Sequence, residues 1–269
     1  GLITQSFCGV CTYSHYEASI LACEDAFKVK PPANARIIRN LINGGQYLTD
    51  HVMHFYHLHG LDWVDIVSAL SADPKKAVEM AKAYCPNPFN CSETHYRAVQ
   101  QRLTGFVKSG RLGPFANGYW GNPSFKLPPE ANLIIVSHYL DALQVSKLGA
   151  QMMAIFGGKN PHPQTLVVGG VTSVMDLDAH RIGEYLFRLK EVKHFVETAY
   201  IPDVLIAHPF YGEQKLALLR RLLDRPGLEL TLVVDIAEQA EGISRTAQAA
   251  DEHHAGFDPL EFDRFTRFQ

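Results

Sequence analysis

Residues 33–61, ANARIIRNLINGGQYLTDHVMHFYHLHGL, decide the fold class. Ile37, Leu41, Leu48, Val52, Phe55 and Leu58 recur at three- and four-residue steps, interrupted at Gly44-Gly45. That spacing predicts one helix over Ala33–Leu61 with an apolar face turned to a core. Each glycine costs ~1 kcal/mol against alanine inside a helix. Two of them within the stripe point to close approach by a neighbouring helix.

Working outward, the same period continues in both directions. Thr12–Phe27 has no Pro or Gly and stops at Pro31-Pro32, a second helix. Asp73-Pro74 has the form of an N-cap with proline in the first turn, opening Lys75–Tyr84. Pro86–Cys91 reads as a loop, and Ser92 or Thr94 caps a helix running to Lys108. Leu112–Pro129, rich in Gly, Pro and aromatics, reads as an irregular packed loop. Glu130–Phe156 is a long, strongly apolar helix between Pro128-Pro129 and Gly157-Gly158, buried on most of its circumference. Gly157–Val171 is again a loop, and Asp178 caps a helix over Ala179–Tyr200.

The fold class is therefore mainly α, a helical bundle, up to about residue 207. After Pro202 the texture changes. Asp203–Ala207 and Glu229–Ile236 read as short strands flanking a helix, Gln214–Leu223, with Ala237–His254 a further helix and Leu260–Gln269 a polar-aromatic end. A boundary near Ile206–Gly212 divides the chain into a helical domain, 1–207, and a short α/β-like tail, 208–269.

Composition narrows the function. The 269 residues carry 25 Lys+Arg and 28 Asp+Glu, a net charge of −3, which excludes the clustered basic footprint of a nucleic-acid binder. Hydrophobic residues at 46% are enough for a packed core, yet no apolar run approaches the ~18 residues of a membrane span. Gly1–Phe7 does not have the charged and apolar regions of a secretory leader. Five cysteines are too few for a disulfide scaffold.

Two of those cysteines, Cys8 and Cys11, form Cys-x-x-Cys, a spacing that serves two of four ligands to a soft metal, a redox dithiol, or two buried thiols. In a helix starting near Thr12, His15 lies four residues after Cys11 and can donate to a metal-bound thiolate. Cys85 and Cys91 are separated by five residues with two prolines, and Cys23 stands alone, so these three read as structural thiols. Asp50, His54 and His57 share a helix face that offers a rival metal site, although the same residues at helical spacing also bridge packed helices through hydrogen bonds.

Taken together, the residues resemble the large subunit of nickel–iron hydrogenases of the uptake type. The resemblance rests on Cys8-Gly-Val-Cys-Thr-Tyr-Ser-His15, Asp50-His-Val-Met-His-Phe-Tyr56, Leu61-Asp-Trp-Val-Asp65, Phe115-Ala-Asn-Gly-Tyr-Trp-Gly121, Lys126-Leu-Pro-Pro-Glu130, Gly157-Gly-Lys-Asn-Pro-His-Pro163 and Gly169-Gly170, in the family's order over Ile3 to about Ala207. In that family four cysteines hold nickel and an iron that carries diatomic ligands. The resemblance implies that Cys8 is a terminal nickel ligand, that Cys11 bridges nickel and iron, and that His15 donates to the bridging sulfur. It implies that Asp50 is the acidic residue beside the metals, and it leaves the role of His162 open.

The activity implied is reversible H₂ oxidation, which needs a soft, electron-rich metal and a base nearby for the proton. Electrons would leave through an iron–sulfur small subunit, since this chain has no spare cysteine set for a cluster. Maturation proteins, and a periplasmic or membrane-associated location through the partner, follow by the same resemblance. The departures are specific. Ser6-Phe7 stands where the family has Arg-Ile, and neither the family's C-terminal cysteine pair nor the arginine facing Asp50 has a counterpart here. The expectation is thus of a large-subunit fragment that does not assemble the two-metal site alone. Two other readings stay open at this point: a thiol-redox or zinc-binding helical protein using Cys8 and Cys11, and a non-catalytic interaction module.

Overall fold

The computed structural model describes residues 2–115, 125–172, 178–207 and 210. They are mainly helical, as predicted: α1 Leu2–Gln5, α2 Ser14–Phe27, α3 Ala33–Met53, α4 Pro74–Tyr84, α5 Glu93–Lys108, α6 Pro129–Gly157, α7 Ala179–Phe195 and α8 Ile201–Ala207. The tail segments Gln214–Leu223, Glu229–Ile236, Ala237–His254 and Leu260–Gln269 lie outside the described residues, as does most of Phe115–Gly121.

Local chemistry sets the helix ends. The Asp73 carboxylate accepts the Lys75 N–H at 2.9 Å with Pro74 in the first turn, and Ser92, not Thr94, caps α5 by accepting the His95 N–H at 3.1 Å. Asp178 Oδ1 accepts the Arg181 N–H at 2.8 Å. The helix expected from Thr12 starts at Ser14, because residues 8–13 form a turn.

Three differences from the sequence reading have physical reasons. The helix expected over Ala33–Leu61 is α-helical only to Met53, then widens to a π turn over His54–Leu58 and tightens to a 3₁₀ turn over His59–Asp62. Asp203–Ala207, read as a strand, is instead helix α8, entered from a π turn over Val196–Tyr200. A short apolar run does not distinguish a strand from a buried helix, and Pro202 is tolerated in a first turn. Packing decides the outcome, since Pro202, Asp203, Val204, Ile206 and Ala207 are all buried. Lastly, the loop Gly157–Val171 contains a small antiparallel hairpin, β1 Leu166–Val167 and β2 Gly170–Val171, with Leu166 opposite Val171. Gly169 turns it at φ 84°, in the left-handed region that glycine enters without cost.

The chain forms two compact units. Among the described residues, one comprises 2–47 and 149–190 and the other 48–148 and 191–207. In the first, Tyr13, Ile20, Ile42, Met152, Met153, Phe156 and Tyr185 are buried, and the Tyr185 hydroxyl donates to Leu41 O at 2.9 Å. Gly45 lies so close to α6 that a β-carbon there would come within 2.9 Å of Met153 Cγ, which is the close approach read from Gly44-Gly45. Arg39 forks onto Glu24 at 2.6 and 3.1 Å and also donates to the hairpin carbonyls of Val167 and Gly170. In the second unit every residue from Ala131 to His138 is buried, so the N-terminal turns of α6 are enclosed on all sides. There Asn132 takes the Asp65 N–H at 2.8 Å and donates to Leu127 O at 3.0 Å.

Candidate metal centre

The Cys-x-x-Cys segment lies in the turn before α2, where no helical hydrogen bonds constrain it. The Cys11 N–H donates to Cys8 Sγ at 3.0 Å, and the Ser14 N–H to Cys11 O at 3.2 Å, starting the helix that carries His15. Cys8 Sγ, Cys11 Sγ and a ring nitrogen of His15 lie within 4.8 Å of one another. Both cysteines are half-buried and His15 is exposed. Among the described residues this is the one group of three or more Cys, His, Asp or Glu donors that converges in this way.

The turn is held from behind by residues that sequence reasoning had not singled out. Buried Gln46 donates from Nε2 to Val10 O at 3.0 Å, and its Oε1 faces the Tyr13 N–H at 3.4 Å and Thr12 Oγ1 at 3.0 Å. Thr12 Oγ1 also lies 2.7 Å from Asn160 Oδ1. Tyr13 has its hydroxyl between Arg39 O and Glu17 Oε1, at 3.0 and 2.8 Å. Burial pushes the Tyr13 phenol upward, and burial likewise raises the Glu17 carboxyl against the opposing pull of Tyr13 and Arg39. Gln46 had one signal in the sequence, a polar side chain beside the glycine gap of an otherwise apolar stripe. The Phe7 ring packs edge-on to His15, with centroids 5.6 Å apart at 69°.

The other candidates are not members of this donor group. Asp50 lies half-buried on α3 in the second unit and is not a member of the donor group. The histidine cluster is engaged with protein. The His57 ring meets Tyr139 O at 3.0 Å, His59 Nδ1 accepts the Trp63 indole N–H at 3.1 Å, and His54 stacks on His59. Burial lowers the His57 pKa, the Tyr139 carbonyl opposing. Of these contacts the one from His57 bridges to another helix, α6, and the other two are local to the stretch itself. His162 sits in the loop after α6 at φ 62°, its carbonyl accepting from Gln5 at 3.3 Å. Cys91 has its thiol pushed up by burial and directed at Val78 O, as a structural thiol does.

Two thiolates and an imidazole suit a soft or borderline metal such as nickel and do not suit magnesium or calcium, which take oxygen. The Cys11 N–H directed at Cys8 Sγ favours the charged form of sulfur that a metal binds. The residues present therefore fit part of a sulfur-rich nickel site.

Comparison with known proteins agrees. A family model described as nickel-dependent hydrogenase matches residues 1–223. The quinone-reactive Ni/Fe-hydrogenase large chain of Wolinella succinogenes is 55% identical over 208 residues, covering 77% of this chain and 36% of that protein. The uptake hydrogenase large subunit of Alcaligenes hydrogenophilus is 48% identical, covering 78% and 35%. Among solved structures, the Ni-Fe-Se hydrogenase of D. vulgaris Hildenborough superposes with a TM-score of 0.54 at 33% identity, over 76% of this chain and 33% of that one. The chain thus spans about a third of the length of the relatives it matches.

Proposed function

Because the chain belongs to the nickel-dependent hydrogenase family, as part of a large subunit, we propose that it takes part in the reversible oxidation of H₂ to protons and electrons. The observation that carries this reading is the convergence of Cys8, Cys11 and His15 at the head of α2. In it Cys8 and Cys11 would be the chain's ligands to a nickel–iron group, Cys8 to nickel and Cys11 shared with the iron, and His15 would donate to the Cys11 sulfur. Asp50 is the acidic residue beside the metals, acting by position. The remaining ligands come from sequence other than these 269 residues, so the chain alone does not complete the centre.

When bound, the metals supply the electron-rich centre that polarises H₂. The protein's part is preparation. The Cys11 N–H donates to Cys8 Sγ, a contact that supports charge on the sulfur, and a thiolate there would serve both as ligand and as a base able to take a proton. Gln46 fixes the turn so that the two sulfurs face one point. Electrons need a separate iron–sulfur small subunit, because Cys23, Cys85 and Cys91 make no four-thiolate set. By analogy with the quinone-reactive relative, the electrons pass on to a quinone, and the chain is periplasmic or membrane-associated through its partner. None of the described helices is long and apolar enough to cross it.

A chimera tests this. Residues 1–207 replace the matching segment of the Wolinella succinogenes large chain, matured with its accessory proteins and small subunit. The expected product holds nickel and iron and reduces dye with H₂, and Cys8→Ser or Cys11→Ser removes both metals. A chimera without metals beside an active parent, or serine variants that keep them, would overturn the reading.

A further inference from the structure

In the second unit a cavity of about 640 Å³ opens between α5, α6 and the stretch from Gly60 to Ile66. Its volume lies within the ~300–1,000 Å³ range of small-molecule sites, and a gap between helices of a bundle is a usual place for one. No residue of the candidate metal centre lines it. We propose that this cavity binds a single-chain amphiphile with an anionic head, a medium-chain carboxylate, its chain turned inward and its carboxylate held at Arg102 and Arg111.

The lining is divided by depth. Ile66, Val99, Leu103, Ile135 and Val136 are buried and form an aliphatic floor. An alkyl chain laid on that floor leaves water, which favours it whatever its head group. Arg102 and Arg111 line the same cavity but are exposed, so they belong to its mouth. A wholly apolar ligand would leave these two charges unused, and a wholly polar one would leave the floor unused.

Charge then selects the head group. None of the described residues that line the cavity is acidic, so the mouth carries positive charge alone. Arg39, Arg97 and Arg188 each pair with a glutamate, whereas Arg102 and Arg111 have no ion-pair partner among the described residues. An exposed arginine needs no partner other than water. What sets these two apart is that they flank one apolar cavity together. A guanidinium presents a planar fork of donors that matches a carboxylate, and a cationic head would meet two like charges.

The test is calorimetric titration of the full 269-residue chain with decanoate, decanol and decylammonium, each kept below its aggregation threshold. Expected is one saturable site that binds decanoate at least ~10-fold more tightly than the other two, as hydrogen bonds to a charged group allow. Arg102→Ala/Arg111→Ala removes that preference and leaves the decanol affinity unchanged. Gly105 lies on the wall, and an added β-carbon there meets nothing within 4 Å, so Gly105→Trp fills the cavity and abolishes binding of all three. Far-UV circular dichroism checks that both variants are folded. No saturable decanoate site, decanol bound as tightly as decanoate, a preference that survives loss of both arginines, or a folded Gly105→Trp chain that still binds would each overturn the inference. The metal content of the chimera is measured separately and is independent of all four.

Discussion

His138 and Asp203 meet at 2.8 Å, Nδ1 to Oδ2, with their side chains 1% and 0% exposed. The same carboxylate oxygen accepts the Tyr56 hydroxyl at 2.7 Å, and His138 Nε2 faces the Phe89 carbonyl at 3.2 Å. A carbonyl only accepts, so His138 Nε2 donates to Phe89 O, while Nδ1 faces the carboxyl group of Asp203. The cluster joins α6, α8, the π turn and the loop before α5.

Removing one partner leaves a buried charge with nothing opposite. His138→Leu is expected to cost ~3–5 kcal/mol, and the double variant His138→Leu/Asp203→Leu much less. Urea midpoints of the three proteins check this, and equal losses in the single and double variants would refute it. The pH dependence has a definite sign. Burial pushes the His138 pKa down, but the Asp203 charge, its hydrogen bond and the Phe89 carbonyl outweigh it, and the net shift is upward from 6.5. The pair's contribution is fully present below the unfolded value and is lost as pH rises through the higher folded one. The midpoint should fall as pH rises above 6.5 in the wild type and stay flatter in the double variant.

The Glu24–Arg39 fork behaves in the opposite sense. Hydrogen bonding from Arg39 is the main reason the Glu24 pKa lies below its usual 4.5, with burial opposing. Its contribution is present above 4.5 and is lost as pH falls through the lower folded value. Arg39→Met should cost ~3–5 kcal/mol, as it strands Glu24 and the hairpin carbonyls together. Arg39→Lys should recover only part, since an ammonium cannot reproduce the fork. Acid titration of the urea midpoint separates the three.

Gly45→Ala sets two effects against each other. Helix propensity favours alanine by ~1 kcal/mol. Against it, the new methyl would lie 2.9 Å from Met153 Cγ and 3.3 Å from the Gly149 carbonyl, and the backbone atom cannot move aside as a side chain can. Overpacking of this kind costs ~1–3 kcal/mol, so the net expectation is destabilisation. A midpoint at or above wild type would refute it.

Gln46→Leu should loosen the metal-binding turn while the helices persist. It removes the donor to Val10 O and the acceptor facing Tyr13 and Thr12. Nickel affinity should fall ~10–100-fold, the range for lost supporting contacts, with the far-UV spectrum nearly unchanged. Unchanged affinity would show that the turn holds its own shape.

The helical segments were legible because their signals are local: apolar spacing in α3, an Asp-Pro cap before α4, paired prolines and glycines around α6. Cys8, Cys11 and His15 were legible together because they are neighbours on one turn and the helix that follows. What could not be read is what depends on distant partners. Gln46 gains its role from a turn more than thirty residues away. Asp203 sits in a short apolar run whose helical state is decided by burial against other elements. The Asp50 cluster shows the converse limit, since helical spacing alone made three side chains look like one ligand face.

The π turn over His54–Leu58 takes five residues where a regular turn takes fewer, so it works as a one-residue phase shift. Each residue advances a helix by ~100°, so the added one rotates the residues after the turn relative to α3, and Phe55 and Tyr56 within it are both buried. Phe55 meets Trp63 and Tyr200, with ring centroids 5.4 and 5.1 Å away, while Tyr56 reaches Asp203. Deleting a single residue here would restore ideal helical geometry and at the same time point one of these two rings toward water. The irregular turn is what allows one strand of sequence to serve two neighbours at once.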